Sequence, residues 1–135
     1  MKNLILVGGG GHALNCVDIF NYKNYKIIGF IDSKRESKLF DKGYKYLGND
    51  NKIKDYISNE NYFFISIGGV KNLDKRKSIF KYIFDNGGKF VNCISKNSII
   101  SETAKLGIGI ACFHNSIINS YTIIKDNSII NTSAV

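Results

Sequence analysis

No apolar run in this chain approaches the ~20 residues that a membrane helix needs, and no proline or tryptophan occurs in it. The first absence argues against membrane insertion. The opening MKNLILVGGGG resembles a secretion signal only superficially, because the short run over residues 3–7 gives way to glycines where an apolar core would have to continue. It reads as a buried strand of a cytoplasmic protein. Cysteines are few: Cys16, Cys93 and Cys112 are odd in number and far apart, with no CxxC pair. Histidines do not cluster either, so a disulfide framework and a zinc site are both disfavoured, and the three thiols read as core side chains. Arginine is scarce as well. Arg35 and Arg76 are the only two, and the rest of the positive side of a +8 net charge is lysine spread along the chain. Base reading relies on arginine forks and phosphate surfaces cluster their charge, so nucleic acid is not the expected partner. The densest cluster, Lys71 to Lys81, reads as the solvated face of a helix.

What is present is a globular pattern, 44% hydrophobic over 135 residues, enough for one domain or two small lobes. NLILV ends in four glycines and is followed by HALNCVDIFNY, where Ala13, Val17 and Phe20, or Leu14, Cys16 and Ile19, can face inward on a helix. YKIIGFID is a second short strand, completing the βαβ unit of a parallel sheet. Residues 34–50 read as loop with a brief strand at Tyr44–Leu47, and NKIKDYI as a short helix. NYFFISIGG is a third strand closed by glycines. VKNLDKRKSIFKYIFDNGG predicts an amphipathic helix whose stripe is Leu73, Ile79, Phe80, Ile83 and Phe84, ended by Gly87–Gly88. KFVNCIS reads as one more strand. Alternation of this kind over residues 1–95 predicts an α/β lobe, Rossmann-like, with a small parallel sheet.

From residue 96 onward the period changes. Ile100, Leu106, Cys112, Ile118, Ile124 and Ile130 recur at every sixth position. Two places earlier stand Ser98, Ala104, Ile110, Ser116, Thr122 and Ser128, small except for Ile110. A fixed six-residue period points to a solenoid in which three repeats close one triangular coil, each landmark pointing inward and coils stacking at the ~4.8 Å strand spacing. Residues 96–135 are therefore expected to be the first coils of a parallel β-helix, ordinary isoleucine-rich strands being the alternative. Val135 stands one place before the next inward landmark, so the beat is interrupted there and not capped.

The chemistry-bearing residues gather at the strand ends. Gly8, Gly9, Gly10 and Gly11 with His12 join a strand to a helix, where glycine backbone and the helix N-terminus suit an anionic ligand. Gly8, Gly10 and Ala13 satisfy G-x-G-x-x-A, and Asp32 ends the next strand at the dinucleotide-fingerprint distance. A lobe of about 95 residues has no second half for a nicotinamide, so the reading is a phosphate-bearing ligand, with NAD and a purely structural turn as alternatives. Asp32 and Ser33, and the turn from Ser66 through Gly68 and Gly69 to Val70, share the sheet edge where ligand crevices form. His12 can donate to a phosphate or sugar. His114 reads as a surface or interface residue, and no Ser–His–Asp pairing is recoverable from spacing.

In the order LILVGGGGHA, KIIGFID, YLGND, FFISIGGVKNLDKRKSIF, AKLGIG and SIINTSAV, the chain resembles the bacterial sugar acyltransferases with hexapeptide repeats. These include sialic acid O-acetyltransferases and the N-acetyltransferases of UDP-4-amino-4,6-dideoxy sugars. The resemblance implies a left-handed parallel β-helix, a homotrimer, and acetyl-CoA held between neighbouring β-helices. It implies too that the N-terminal lobe binds the UDP-sugar through Gly8–His12, Asp32, Ser33 and Gly68–Val70, for surface-glycan biosynthesis. The reaction the resemblance implies is direct transfer, a histidine taking the proton of the attacking sugar amine or hydroxyl. That histidine is expected just after the segment IINTSAV, beyond Val135. No catalytic residue is therefore assigned among these 135, and this form is expected to be inactive. Family members carry prolines at coil corners near positions 95 and 114, where this chain has none. A non-catalytic nucleotide-sugar-binding module is the alternative of a different class, and a small NAD-binding regulatory domain is another.

Overall fold

The computed structural model describes residues 1–69 and 71–135. At its centre lies β1 (Lys2–Val7), paired in parallel with β2 (Tyr25–Ile31) on one side and β4 (Asn61–Ile65) on the other. With β3 (Tyr46–Gly48) and β5 (Lys89–Phe90) at the edges, the five-stranded sheet has the order β3-β2-β1-β4-β5. The period of two along β1 separates two cores. Leu4 and Leu6 face α1 (Gly11–Phe20), while Ile5 and Val7 face α4 (Leu73–Asp85), and all four are buried. Each such side chain stabilises the fold by roughly 1.5–3 kcal/mol. Helix α1 buries Ala13, Cys16, Val17, Ile19 and Phe20, merging the two inward sets the sequence allows.

Several expectations change. The segment read as loop carries a one-turn helix, α2 (Lys38–Asp41), because Ser37 Oγ accepts the Phe40 N–H at 3.4 Å and Leu39 is buried beneath. NKIKDYI begins as a 3₁₀ turn, Asp50–Lys52, before α3 (Ile53–Tyr56). On α4, Leu73 and Phe84 are exposed, and the buried set is Arg76, Ile79 and Ile83. Arg76, placed by the sequence on a solvated face, is 2% exposed. KFVNCIS is two strands in different sheets, β5 ending the lobe and β6 (Cys93–Ile94) pairing with β9 (Ala111–Cys112).

The six-residue beat builds a parallel β-helix. Beyond β6 come β7 (Ile99–Ile100), β8 (Lys105–Leu106), β9, β10 (Ile117–Ile118), β11 (Ile123–Ile124) and β12 (Ile129–Ile130). Every pairing joins residues three beats apart: Ile99 with Ile117, Lys105 with Ile123, Ala111 with Ile129. The landmarks Ile100, Leu106, Cys112, Ile118, Ile124 and Ile130 pack together inside the coil. Its corners turn on left-handed residues at the same period, Gly109, Asn115, Tyr121, Asn127 and Ser133, with φ between 60° and 69°. Each corner is the residue just before the position two places ahead of a landmark, a small residue at every turn but Ile110. The coil packs against the α1 face of the sheet, where Val91, Cys93, Ala111 and Phe113 join the core of Leu4, Leu6 and Phe20. No helix among the described residues is long and apolar enough to cross a membrane.

Candidate functional site

Strand order reverses between β1 and β4, and a crevice opens beyond their carboxyl ends. Two turns wall it. After β1, the Gly8 N–H donates to the Ile31 carbonyl at 2.7 Å; after β4, the Ser66 N–H donates to the Val7 carbonyl at 2.8 Å. Ser66 Oγ then donates to the Gly8 carbonyl at 2.6 Å, locking one turn to the other.

The four glycines divide by function. Gly8 sits at φ +118°, and a Cβ there would stand 2.8 Å from the Ile67 side chain and 2.9 Å from its backbone nitrogen. At Gly9 a Cβ would meet the Phe30 ring and Ser37 Oγ at 2.8 Å, and the Gly9 N–H donates to Asp32 Oδ2 at 2.8 Å. Packing demands glycine at these two. A Cβ at Gly10 or Gly11 would meet nothing within 4 Å. Those two open α1, whose first amides have no partner inside the helix and carry its positive end. The resulting cavity of about 380 Å³ is lined by Gly8, Gly10, Gly11 and His12 on one side, Asp32 at one end, and Ser66, Ile67, Gly68, Asn72 and Lys75 opposite. Backbone donors and one ammonium face a ligand there, and Asp32, Ser66 and Asn72 supply acceptors. The chemistry suits a phosphate ester with hydroxyls nearby.

Asp32 is committed to the loop. Oδ2 holds Gly9, and Oδ1 accepts Ser33 Oγ at 3.2 Å and the Lys34 N–H at 3.5 Å. The Asp32 carbonyl accepts the Tyr46 hydroxyl at 3.0 Å. Gly9 and exposed Ser33 therefore stand beside the cavity and not on its wall, and Val70 lies outside the described residues.

A second, larger cavity, about 820 Å³, lies between the lobe and the coil. His12 belongs to both. Its ring packs edge-on against Phe113 at 5.1 Å, and its Nε2 is buried without a hydrogen-bond partner among the described residues. Gly69, Leu73 and Arg76 come from the lobe; Asn127, Ser128 and Asn131 come from a coil corner. Arg76 Nη1 donates to the Ile65 and Ile67 carbonyls at 3.1 and 2.6 Å, and Nη2 to the Asn127 carbonyl and Oδ1 at 2.9 and 2.6 Å. Burial pulls the Arg76 pKa below its ordinary value, and a guanidinium remains charged there.

Val135 lies outside both cavities and is exposed. It follows the corner at Ser133, and the carbonyl of its neighbour Ala134 accepts the Ile117 N–H at 2.8 Å. The coil thus holds its register up to Ala134.

Cys16 and Cys93 lie together in the core between α1 and the coil, and Cys112 lies in the separate core inside the coil. Cys93 is held far above the ordinary thiol range by its hydrogen bond to Cys16 and by burial. Burial alone pushes Cys112, inside the coil, up to about 11.

Spacing hides one constellation that the fold assembles. Ser95 Oγ lies 2.6 Å from His114 Nδ1, and His114 Nε2 lies 3.7 Å from Asp18 Oδ2. Ser95 is 2% exposed, its oxygen also accepts the Asn97 N–H at 3.2 Å, and none of the cavities described above opens on it. The trio ties α1 to the coil and presents no nucleophile to a substrate. Sequence reasoning also passes over Asn72, Lys75, Arg76, Asn127 and Asn131. A signal exists for Arg76: it is the one guanidinium in a helix whose other cations are lysines, and guanidinium is the cation suited to buried, forked hydrogen bonding.

Fold and site together define a class: a Rossmann-like lobe with a ligand crevice at its switch point, continued by a parallel β-helix. Residues 3–83, more than half of the chain, match the family described as the PglD N-terminal domain, and the chain belongs to that family. The family resemblance drawn from the sequence is borne out. Among solved structures, the acetyltransferase domain of PglB from Neisseria gonorrhoeae superimposes with a TM-score of 0.87 at 21% identity, over 98% of this chain and 63% of that one. PerB from Caulobacter crescentus, in complex with CoA and GDP-perosamine, gives 0.85 at 24% identity, over 98% and 61%. The chain thus spans about three fifths of the length of these relatives, and at such identities the likeness establishes a shared fold.

Proposed function

We propose that the glycine-loop cavity binds the nucleoside diphosphate of a nucleotide-sugar, and that the sugar extends past His12 into the cavity beside the coil. The observation that carries this reading is the meeting of the two cavities at His12, one lined by helix amides and Lys75, the other by neutral amides, apolar side chains and the buried Arg76. Family membership supports it, as do similar structures in complex with GDP-perosamine and with acetyl coenzyme A. In the protein's full activity the lobe presents a 4-amino sugar, taken to be UDP-linked, for N-acetylation by acetyl-CoA. The amine attacks the thioester carbonyl, a C–N bond forms, the C–S bond breaks, and the amine proton passes to a base. O-acetylation of a sialic-acid-type hydroxyl is the alternative chemistry.

The resemblance assigns neither histidine of these residues the role of that base. His114 is bonded to Ser95, and His12 lies in the interlobe cavity packed against Phe113. These residues are expected to bind nucleotide-sugar without turning it over. Calorimetric titration should show UDP-sugar binding that NADH does not compete with, and an assay with acetyl-CoA and UDP-4-amino sugar should show no turnover. NADH binding to the exclusion of UDP-sugars would sink the reading. Ile99 and Ile123, on outer faces of the coil, are 64% and 66% exposed, apolar surface that further copies would cover in a trimer. Light scattering tests that assembly.

A further inference from the structure

Arg76 is a cation where a cation is costly. It is 2% exposed, and buried charges in proteins are ordinarily paired with an opposite charge. Its four Nη hydrogen bonds end on three main-chain carbonyls and one side-chain amide oxygen, all neutral. Among the described residues no carboxylate lies within ion-pair distance of it, and the one residue outside them is a valine. The dipoles hold the guanidinium in place and leave its charge uncancelled. That charge faces the cavity between lobe and coil, and its grip on the Ile67 carbonyl places it behind the wall of the glycine-loop cavity as well. At the junction stands His12, its buried Nε2 unpartnered.

We propose that Arg76 is the charge-selecting residue of this cleft, making the junction at His12 a subsite for the diphosphate of the ligand and disfavouring a neutral one. The inference rests on the nucleotide-sugar reading for the identity of the ligand, but the anion preference stands on Arg76 alone. The α1 amides and Lys75 meet one end of the diphosphate; Arg76 neutralises the other through a low-dielectric interior, where a charge is poorly screened. Lysine cannot keep the four-bond fork but does keep the charge, so the two contributions separate by substitution.

The test is titration of the chain with UDP, uridine and inorganic pyrophosphate. UDP should bind at least tenfold more tightly than uridine. Arg76→Met should remove most of that margin, and Arg76→Lys should retain it within about threefold. Equal losses in Arg76→Lys and Arg76→Met, with both variants folded by circular dichroism, would show that the fork and not the charge matters, and would overturn the proposal. Should Arg76→Met not fold, the unaltered protein decides. Only two arginines exist, so the Arg76 Nε–H resonance is assigned by difference against Arg35→Lys, at an exposed position paired with Glu36. Saturating UDP or pyrophosphate should shift it, and an unmoved resonance overturns the proposal. Pyrophosphate shifting Arg76 while UDP fails to bind would instead sink the nucleotide-sugar reading and uphold the anion subsite.

Discussion

Arg76 and Asn127 are bonded in both directions across the junction of lobe and coil: Nη2 donates to Asn127 Oδ1 at 2.6 Å, and Asn127 Nδ2 donates to the Arg76 carbonyl at 3.3 Å. Asn127 can do this because it is a corner residue at φ +61°, a conformation asparagine tolerates and most side chains do not. Asn127→Gly keeps the corner and loses the side-chain bonds, and should cost about 1–2 kcal/mol. Asn127→Ala loses the bonds and strains the corner, so about 1 kcal/mol more is expected. Urea denaturation of the two variants measures the difference. Equal costs would mean the corner imposes no strain.

The glycine loop should split in two under alanine substitution. Gly8→Ala and Gly9→Ala drive a methyl into Ile67 or the Phe30 ring, and Gly8→Ala adds positive-φ strain. Losses of about 3 kcal/mol are expected for each. Gly10→Ala and Gly11→Ala meet open space, so stability should change by under about 1 kcal/mol. Nucleotide-sugar affinity should nevertheless fall tenfold or more in this second pair. Thermal melts read the first contrast and calorimetric titration the second.

Tyr121 occupies a coil corner at φ +60° and is 80% exposed. Neighbouring corners use Gly109, Asn115 and Asn127. Tyr121→Asn relieves an unfavourable left-handed tyrosine and removes almost no packing, so it should raise stability by about 0.5–1 kcal/mol. A melting temperature unchanged or lowered would count against strain at that corner.

Alkali should weaken the coil through Cys112. An unfolded thiol ionises near its ordinary value of 9.0, whereas folded Cys112 keeps its proton to about 11. Between those values the unfolded chain has released a proton that the folded chain retains. Stability from this group is therefore complete below pH 9 and declines as pH rises toward 11, by about 3 kcal/mol in all. Cys112→Ala should make that part of the pH–stability curve shallower, the decline owed to Cys93 remaining, and at pH 8 the native protein's Cys112 should resist a thiol reagent until the chain unfolds.

Much of the fold is legible because it rests on periods. Alternating Leu4, Ile5, Leu6 and Val7 allow a strand buried on both faces, and the six-residue isoleucine beat admits few structures besides a triangular coil. The glycine loop is legible as a turn that needs positive φ. The division of its labour is not, since only the approach of Ile67 and Phe30 distinguishes Gly8 and Gly9 from Gly10 and Gly11. KFVNCIS reads as one strand because β5 and β6 share a local propensity, and the partners that separate them, β4 and β9, come from opposite directions along the chain.

By itself the sequence determined most of the elements, the family and the sheet edge where the candidate crevice opens, because hydrophobic periodicity and glycine placement act over a few residues. Tertiary structure alone decided that Arg76 is buried and grips Asn127, that His12 joins two cavities, and that Ser95, His114 and Asp18 meet. Those contacts span stretches of chain in which nothing local distinguishes a buried guanidinium from its solvated lysine neighbours. The coil corner at Asn127, brought against α4 by the fold, is what covers Arg76.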